Sequence, residues 1–456
     1  MKKEKIIIVG AGLCGSLLAI RLAQRGYDIV MYERRADMRK VDTDAGRSIN
    51  LALSARGLEA LEIAGLKEKV LLNTIPMKGR MIHPVKGAPF LSPYSGRSTD
   101  FINSVSRSGL NILLLDEIDK YESIDLKFGI NVTKVSIKRA EVEYLLNENK
   151  KTDRGSIVIG TDGAGSVVRR SMMPHTSELL FNYSQDFLRH GYKELSIHAD
   201  ENNNWKIEKE ALHIWPRGDF MIIALPNLDG SFTLTMFHPF GGNIGFRALN
   251  NENKVQTFFK EYFPTLLPYV PHYKEEYFSN PVGNLGTIKC YPWQAFGKTL
   301  VMGDASHAIV PFYGQGMNAS LEDVRIFDEL IDEYEEVPSN DSQNWEPIFE
   351  AFQEKRKENT DAIADLAIDN FYEMRDHVDD VAFIRKRKIE MQLEEQFDDY
   401  ASKYSMVTFQ PELTYREAMI RGRKQDLLLL KMCENQDYDQ IPLEQYYQKL
   451  KEIQVS

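Results

Sequence analysis

Only three cysteines, Cys14, Cys290 and Cys433, occur in 456 residues, and they lie too far apart for a disulfide framework or a thiolate metal site. Long apolar runs are missing as well. The best, Leu427 to Leu430, falls far below the ~18 residues a membrane helix needs, so no transmembrane segment is expected. Positive charge is in deficit: 56 Lys and Arg against 67 Asp and Glu leave a formal net charge of −11, which argues against nucleic acid as the main partner. No charged-then-apolar leader opens the sequence, because Lys2 and Lys3 run straight into an apolar strand; the expected location is cytoplasmic. Without a secretory signal, Asn131-Val132-Thr133 and Asn182-Tyr183-Ser184 are chance matches to the glycosylation triplet. His213 and His238 have no partner at metal spacing and read as structural.

What is present is concentrated in the first thirty-odd residues. Lys5 to Val9 (KIIIV) is apolar on both faces, as a central parallel strand covered by helices must be. Gly10, Gly12 and Gly15 follow in the GxGxxG spacing that serves a tight turn, close approach to a pyrophosphate and close helix packing. Leu17, Leu18, Leu22 and Ala23 form the core stripe of the next helix, and Gly26 stands where a left-handed cap falls. A second strand, Ile29 to Tyr32, ends at Glu33, about twenty residues past the glycines, where an acid accepts ribose hydroxyls. A dinucleotide site is therefore expected, FAD or NAD being undecided at this point.

The chain is long for one core, so about two or three domains are expected. Arg47, in Gly46 to Leu53, could hydrogen-bond a cofactor phosphate or form a surface ion pair. From Met77 to Tyr94 short alternating stretches broken by Pro84, Pro89 and Pro93 read as strands of a different sheet, carrying Arg80 and Tyr94. An apolar helix, Leu110 to Ile118, returns to the first domain. Ser156 to Gly160 is another apolar strand; the following Gly163-Ala164-Gly165 lacks the third glycine of a second fingerprint, so Asp162 is read as aimed back at the first cofactor. Residues 176–280 alternate and are rich in aromatics, and Pro226 to Gly230 is placed for a hairpin turn; an antiparallel sheet is expected.

Leu300 to Met302 is a strand ending in Gly303-Asp304, an acid at the edge where open α/β sheets bind ligands. After Pro311 a Gly314-Gln315-Gly316 loop opens a helix at Met317, aiming backbone N–H groups and a positive helix end at one spot. Such a spot suits the negative charge of a reduced isoalloxazine, which favours FAD. Beyond Leu321 the chain reads as helical and charged. Ile363, Leu366, Ala367, Asn370, Phe371 and Met374 share one helix face; Asn370, polar on that stripe, either ties down a neighbouring backbone or faces a pocket. Tyr404 to Phe409 reads as a short extended piece, and residues 410–456 as two more helices.

These segments, in this order, resemble the class A flavoprotein aromatic hydroxylases. Gly46 to Leu53, Met77 to His83, Gly191 to Leu195, Leu212 to Trp215, Ala224 to Asp229, Pro311 to Asn318 and Tyr404 to Phe409 are similar in particular to the kynurenine-hydroxylating members, so the resemblance spans nearly the whole chain. It implies an α/β fold: a Rossmann-like FAD-binding domain (1–75, 96–175, 281–330), an inserted antiparallel β-sheet substrate domain (76–95, 176–280) and a C-terminal helical region (331–456). It implies tightly but non-covalently held FAD, with NADPH and O2 as cosubstrates, and an aromatic amino acid as the small-molecule partner. The implied reaction is hydroxylation of L-kynurenine at ring position 3, on the tryptophan-degradation route toward NAD, with a flavin hydroperoxide as oxygen donor and neither a side-chain nucleophile nor a metal. The implied cofactor residues are Gly10, Gly12, Leu13, Gly15, Glu33 and Arg34 from the first turn, Leu53, Arg107 and Asp162 from the middle, and Asp304, Gly314, Gly316, Met317 and Asn318 from the late stretch. Arg80, Tyr94, Asn370 and Tyr404 would bind the substrate carboxylate, and Phe237, Pro311, Phe312 and Met374 would line the ring pocket. Tyr313 stands where bacterial members carry histidine, and the membrane-anchoring tail of mitochondrial members has no counterpart, which suggests a soluble bacterial-type form. One complete fingerprint leaves no separate NADPH fold, and monomer or homodimer stays open. The nearest alternative is a flavin hydroxylase of another aromatic acid. A flavoprotein that mainly binds a partner through its charged C-terminal helices is the other.

Overall fold

The computed structural model describes residues 4–41, 50–147, 149–335, 344–376, 381–434 and 437–455. Lys5–Val9 lies inside a six-stranded sheet, parallel to Ile157–Gly160 on one side and Asp28–Glu33 on the other. Ile124–Phe128 continues the parallel order at one edge, and Thr299–Val301 with the short antiparallel Gln294–Ala295 completes the other. Ile6, Ile7 and Ile8 are all 0% exposed, as a strand covered on both faces must be. Each such burial contributes about 1.5–3 kcal/mol. The helix Leu13–Gln24 packs on this sheet between Arg107–Ile118 and Gly316–Glu335. The expected left-handed residue after the first helix is there, with Gly26 at φ +91°.

A second sheet has seven strands in the order Gly283–Tyr291, Asn182–Ile197, Phe232–Pro239, Met221–Pro226, Ala211–Pro216, Gly79–Ile82 and Phe90–Pro93. It reaches past residue 280, since Gly283–Tyr291 pairs with Asn182–Ile197. Its joins are antiparallel with one exception. Gly79–Ile82 lies parallel to Ala211–Pro216, because it arrives from a distant part of the chain rather than through a hairpin. The expected turn at Pro226 to Gly230 does close a hairpin, with Gly230 at φ +87°. Alternation along Phe232–Pro239 sends Phe232, Leu234 and Met236 into a core shared with Phe258, Phe259 and Phe263. Phe237, with Met221 and Ile214 from neighbouring strands, instead meets Phe312, Ile363, Leu366 and Phe371. One face of the sheet is thus packed by its own helices, and the other looks onto the glycine-rich loop and the C-terminal helices.

Those helices are Trp345–Asp376, Val381–Gln396, Lys403–Phe409, Tyr415–Cys433 and Leu443–Val455. The expected extended piece at Tyr404 to Phe409 is one of them. Ser402 caps it, its hydroxyl accepting from Ser405 N at 3.3 Å, and Met406 and Val407 are completely buried; packing overrides the extended preference of Val407 and Thr408. Among the described residues no helix is long and apolar enough to cross a membrane.

Candidate active site

At the first turn Gly10 sits at φ +104°, and a Cβ there would lie 2.6 Å from Thr161 O. Only glycine fits. Thr161 clamps this turn to the neighbouring strand by donating its hydroxyl to Val9 O (3.1 Å) and Gly10 O (2.9 Å). Opposite, a Cβ at Gly12 would meet nothing within 4 Å, and the helix starting at Leu13 has no side-chain cap, so its N–H groups face an open space suited to an anion. Leu13 is partly buried against the main core, and Gly15 is buried where its helix meets Gly10 O.

Glu33, 6% exposed, ends its strand beside that turn. Its Oε2 accepts from Ala11 N at 2.9 Å, and its Oε1 accepts from Arg35 N and Nε at 3.0 and 2.8 Å. Burial pushes the Glu33 pKa up, but the bonds from Arg35 and Ala11 outweigh it and hold the acid below the usual carboxylate range. Next to it opens a cavity of about 200 Å³ lined by Glu33, Arg35, Met38, Asn111, Leu115 and Phe128. Arg34, expected at this spot, is exposed and outside the lining; its neighbour Arg35 is the residue that faces the site. Asn111 was not legible in the sequence, where it looks like one polar residue in an apolar helix. Its Nδ2 donates to Met38 Sδ at 3.2 Å, and its buried Oδ1 has no partner among the described residues. An acid for ribose hydroxyls, an apolar slot with an orphaned acceptor and an open helix end together fit the adenosine half of FAD.

The middle turn supplies one carboxylate. Asp162 Oδ2 accepts from Val167 N at 2.6 Å, capping its own helix, while Oδ1 is buried without a partner among the described residues; burial raises its pKa. Asp304 follows Gly303, whose N–H is held by Asp323 Oδ2 at 2.9 Å. Burial raises the Asp304 pKa too, and the charge of Arg107, at the head of its helix, opposes that rise. Gly314, at φ +69°, ends the turn Pro311–Tyr313, and Gly316 opens the helix that carries Met317, partly buried on the main core. Two of the expected cofactor residues act as supports through their side chains. Leu53 is 0% exposed, and Asn318 is a buried brace that accepts from Ser54 N (3.0 Å) and donates to Ala52 O (2.8 Å) and Gly314 O (2.9 Å). Arg47 lies outside the described residues.

Behind the loop runs a buried ionic chain that was not legible in the sequence, because its members lie on separate elements and Arg56 joins it from 266 residues before Glu322. His307 Nε2 meets Asp323 Oδ2 at 2.6 Å, Arg356 bridges Asp323 (2.7 Å) and Glu322 (2.6 Å), and Glu322 pairs with Arg56 at 2.7 Å. Arg56 then donates to Val407 O (2.9 Å) and Leu413 O (2.5 Å), tying the helix Gly316–Glu335 to the helix that bears Tyr404.

At the other end of that loop the structure gathers Arg80, Tyr94 and Tyr404. The Tyr94 and Tyr404 rings stack at 5.6 Å and 11°, and the Arg80 guanidinium lies 5.2 Å from the first centroid and 4.4 Å from the second. Tyr404 also stacks on Tyr313 at 5.6 Å and 21°. Among the described residues no carboxylate pairs with Arg80, and the Tyr94 hydroxyl is buried without a partner. Beside them Phe312 packs between Phe237 (4.9 Å) and Phe371 (4.4 Å). Asn370 donates to Phe312 O at 2.6 Å, which realises the backbone-tying option for that residue. Pro311 is exposed at the edge, and the side chain of Met374 lies outside the described residues. His213 and His238 are structural as read, bonded to Glu208 O (2.7 Å) and Ile244 O (2.5 Å), with His83 as an unforeseen partner of His213 at 2.8 Å.

Residues 3–180 match the FAD binding domain family. Over 436 residues the chain is 41% identical to the kynurenine 3-monooxygenase of Myxococcus xanthus strain DK1622, covering 95% of this chain and 91% of that protein. It is 42% identical over 443 residues to the kynurenine 3-monooxygenase of Dictyostelium discoideum, covering 96% and 95%. Among solved structures, the tetrameric form of 2-methyl-3-hydroxypyridine-5-carboxylic acid oxygenase superposes with a TM-score of 0.65 at 18% identity, covering 86% of this chain and 98% of that one. The p-nitrophenol 4-monooxygenase of Pseudomonas putida DLL-E4 does so with 0.65 at 14%, covering 94% and 98%. At those identities the structural likeness speaks for the fold alone.

Proposed function

The chain belongs to the kynurenine 3-monooxygenases, FAD-dependent oxidoreductases, and from that premise we propose which of its residues carry out the hydroxylation of L-kynurenine to 3-hydroxy-L-kynurenine. Bound FAD, with NADPH as reductant and O2 as oxidant, supplies the oxygen-transfer chemistry. Glu33, Asn111 and the open end of the Leu13–Gln24 helix hold its adenosine and phosphates; Asp162 and Asp304 with Arg107 hold the middle; the Gly314 to Met317 backbone faces the ring. Phe237, Phe312 and Phe371, with the exposed Pro311 at the margin, form the apolar wall that keeps water from the aromatic ring of the substrate; Met374 is assigned to the same pocket by the family resemblance alone. Arg80 reads the substrate carboxylate, helped by the Tyr94 and Tyr404 hydroxyls, while Asn370 fixes the Phe312 backbone behind the ring. The division into the three domains read from the sequence, with the sheet domain extended to Tyr291, and a cytoplasmic location belong to the same proposal.

The observation that carries the substrate assignment is a guanidinium held over two tyrosine rings with no carboxylate paired to it among the described residues, beside a tyrosine hydroxyl that is buried and unbonded there. A carboxylate taken from water needs charge-assisted partners, and arginine offers two parallel donors. Leaving it unpaired should cost roughly 2–5 kcal/mol, or on the order of 30-fold to several thousand-fold in affinity. The test is KM for L-kynurenine and for its decarboxylated amine on unaltered protein, Arg80→Ala and Arg80→Lys. A selective loss with L-kynurenine, only partly recovered by lysine, is expected. An equal loss for both compounds would mean that Arg80 supports the fold or the flavin.

A further inference from the structure

We propose that Glu394 is a positioning residue for the substrate: its single carboxylate sets the separation of the two segments that carry Tyr94 and Tyr404. The proposal rests on the substrate assignment above and adds to it a residue that does not itself touch the ligand. Glu394 is 1% exposed on the helix Val381–Gln396. Its Oε2 accepts from Gly96 N at 2.9 Å, two residues past Tyr94, and its Oε1 accepts from Ser402 N at 2.9 Å, two residues before Tyr404. Those two backbone sites are about 300 residues apart in sequence. Through this one group they become neighbours.

The rest of the same helix face does the same work. Arg387, Met391 and Glu394 follow the i, i+4, i+7 spacing of one face. Arg387 Nη2 donates to Tyr94 O at 2.5 Å and Pro93 O at 3.1 Å. Gly96 is pressed so closely on the helix that a Cβ would lie 2.1 Å from Met391 O. From the opposite side Arg97 donates to Tyr400 O and to Asp398 O (3.2 Å), just ahead of the helix bearing Tyr404. Tyr94 and Tyr404 are the two rings beneath Arg80, so a change in their separation changes the socket in which the guanidinium meets a carboxylate. A buried carboxylate is the group for this, because both its oxygens accept. Glutamine keeps the shape but turns one acceptor into a donor that faces an N–H.

The experiment measures FAD content, KM and kcat for L-kynurenine, and hydroxylated product per NADPH consumed, on full-length Glu394→Gln, with exposed Glu395→Gln as control. Losing one charge-assisted bond at the clip should raise KM about tenfold with full FAD content, and product per NADPH should fall as the substrate sits loosely. Gly96→Ala, which pushes the same contact apart from the other side, should reproduce the split. Unchanged KM in Glu394→Gln, or KM, kcat and FAD content failing together, overturns the proposal. Arg80→Ala in the same series separates the two readings: if it raises KM while Glu394→Gln does not, the clip alone is wrong, and if neither does, the substrate assignment fails with it.

Discussion

At the scale of single residues, the site is built from acids and arginines whose surroundings define them. Glu33 is kept ionised by the backbone and by Arg35 although burial opposes it, and it stands beside a cavity that an adenosine fits. Glu33→Ala should therefore fold and purify with little FAD; a full complement of FAD in the variant would contradict its role. Glu33 was legible because it lies at a fixed distance from the glycine turn, whereas alternation placed Arg80 only on an inserted strand and its role came from the family resemblance. Asn111, Arg35 and Arg56 were not. Asn111 depends on a cavity closed by Met38 and Phe128, and Arg56 on carbonyls more than 300 residues away, neither of which leaves a trace in local spacing.

At the scale of elements, two packed pieces hold the loop from Pro311 to Met317. One is the ionic chain His307–Asp323–Arg356–Glu322–Arg56, whose two carboxylates are pushed up by burial but held below their usual range, Glu322 by Arg356 and Arg56, Asp323 by His307 and Arg356. Arg356→Ala strips a buried partner from both acids and should destabilise the protein by about 3–5 kcal/mol, read as a loss in urea unfolding; a change below about 1 kcal/mol would show that the acids find water or other partners. The other is the helix Trp345–Asp376, which reaches the loop through Asn370. Asn370→Ala frees the Phe312 carbonyl and should raise KM for L-kynurenine with little change in melting temperature; a lower melting temperature with unchanged kinetics would make the residue purely structural. The apolar stripe of that helix was readable from three-and-four spacing. Lys403–Phe409 was not, because Val407 and Thr408 favour extended backbone and only the Ser402 cap and complete burial make it a helix. The parallel join of Gly79–Ile82 to Ala211–Pro216 was equally hidden, since alternation shows a strand and not the direction of its partner.

At the scale of the whole molecule, burial in and beside the second sheet acts on the histidines His83, His213 and His238. Burial holds His83 and His238 at about 4 and lowers His213 as well, with the His83 pair partner and Arg217 adding to the effect at His83. In the unfolded chain these rings titrate near 6.5, so between about pH 6.5 and 4 the unfolded state binds more protons and stability falls as pH falls. Melting temperature should drop through that window and stay level just above it; a flat profile from pH 7 to 4 would contradict the reading. The larger arrangement joins a nucleotide fold, a sheet with one face turned to the glycine-rich loop, and helices that bring Tyr404 to Arg80 and Tyr94 and Asn370 to Phe312. Its order along the chain was visible from the motifs, whereas the contacts that close it span hundreds of residues. One measurement tests the joint product of all three parts: NADPH consumption by the FAD-loaded protein with L-kynurenine, with hydroxybenzoates and without either, with the product identified by mass. L-kynurenine should accelerate consumption and yield close to one 3-hydroxy-L-kynurenine per NADPH, and hydroxybenzoates should yield no hydroxylated product. NADPH oxidation that L-kynurenine leaves unchanged, or a hydroxylated benzoate as the main product, would contradict it.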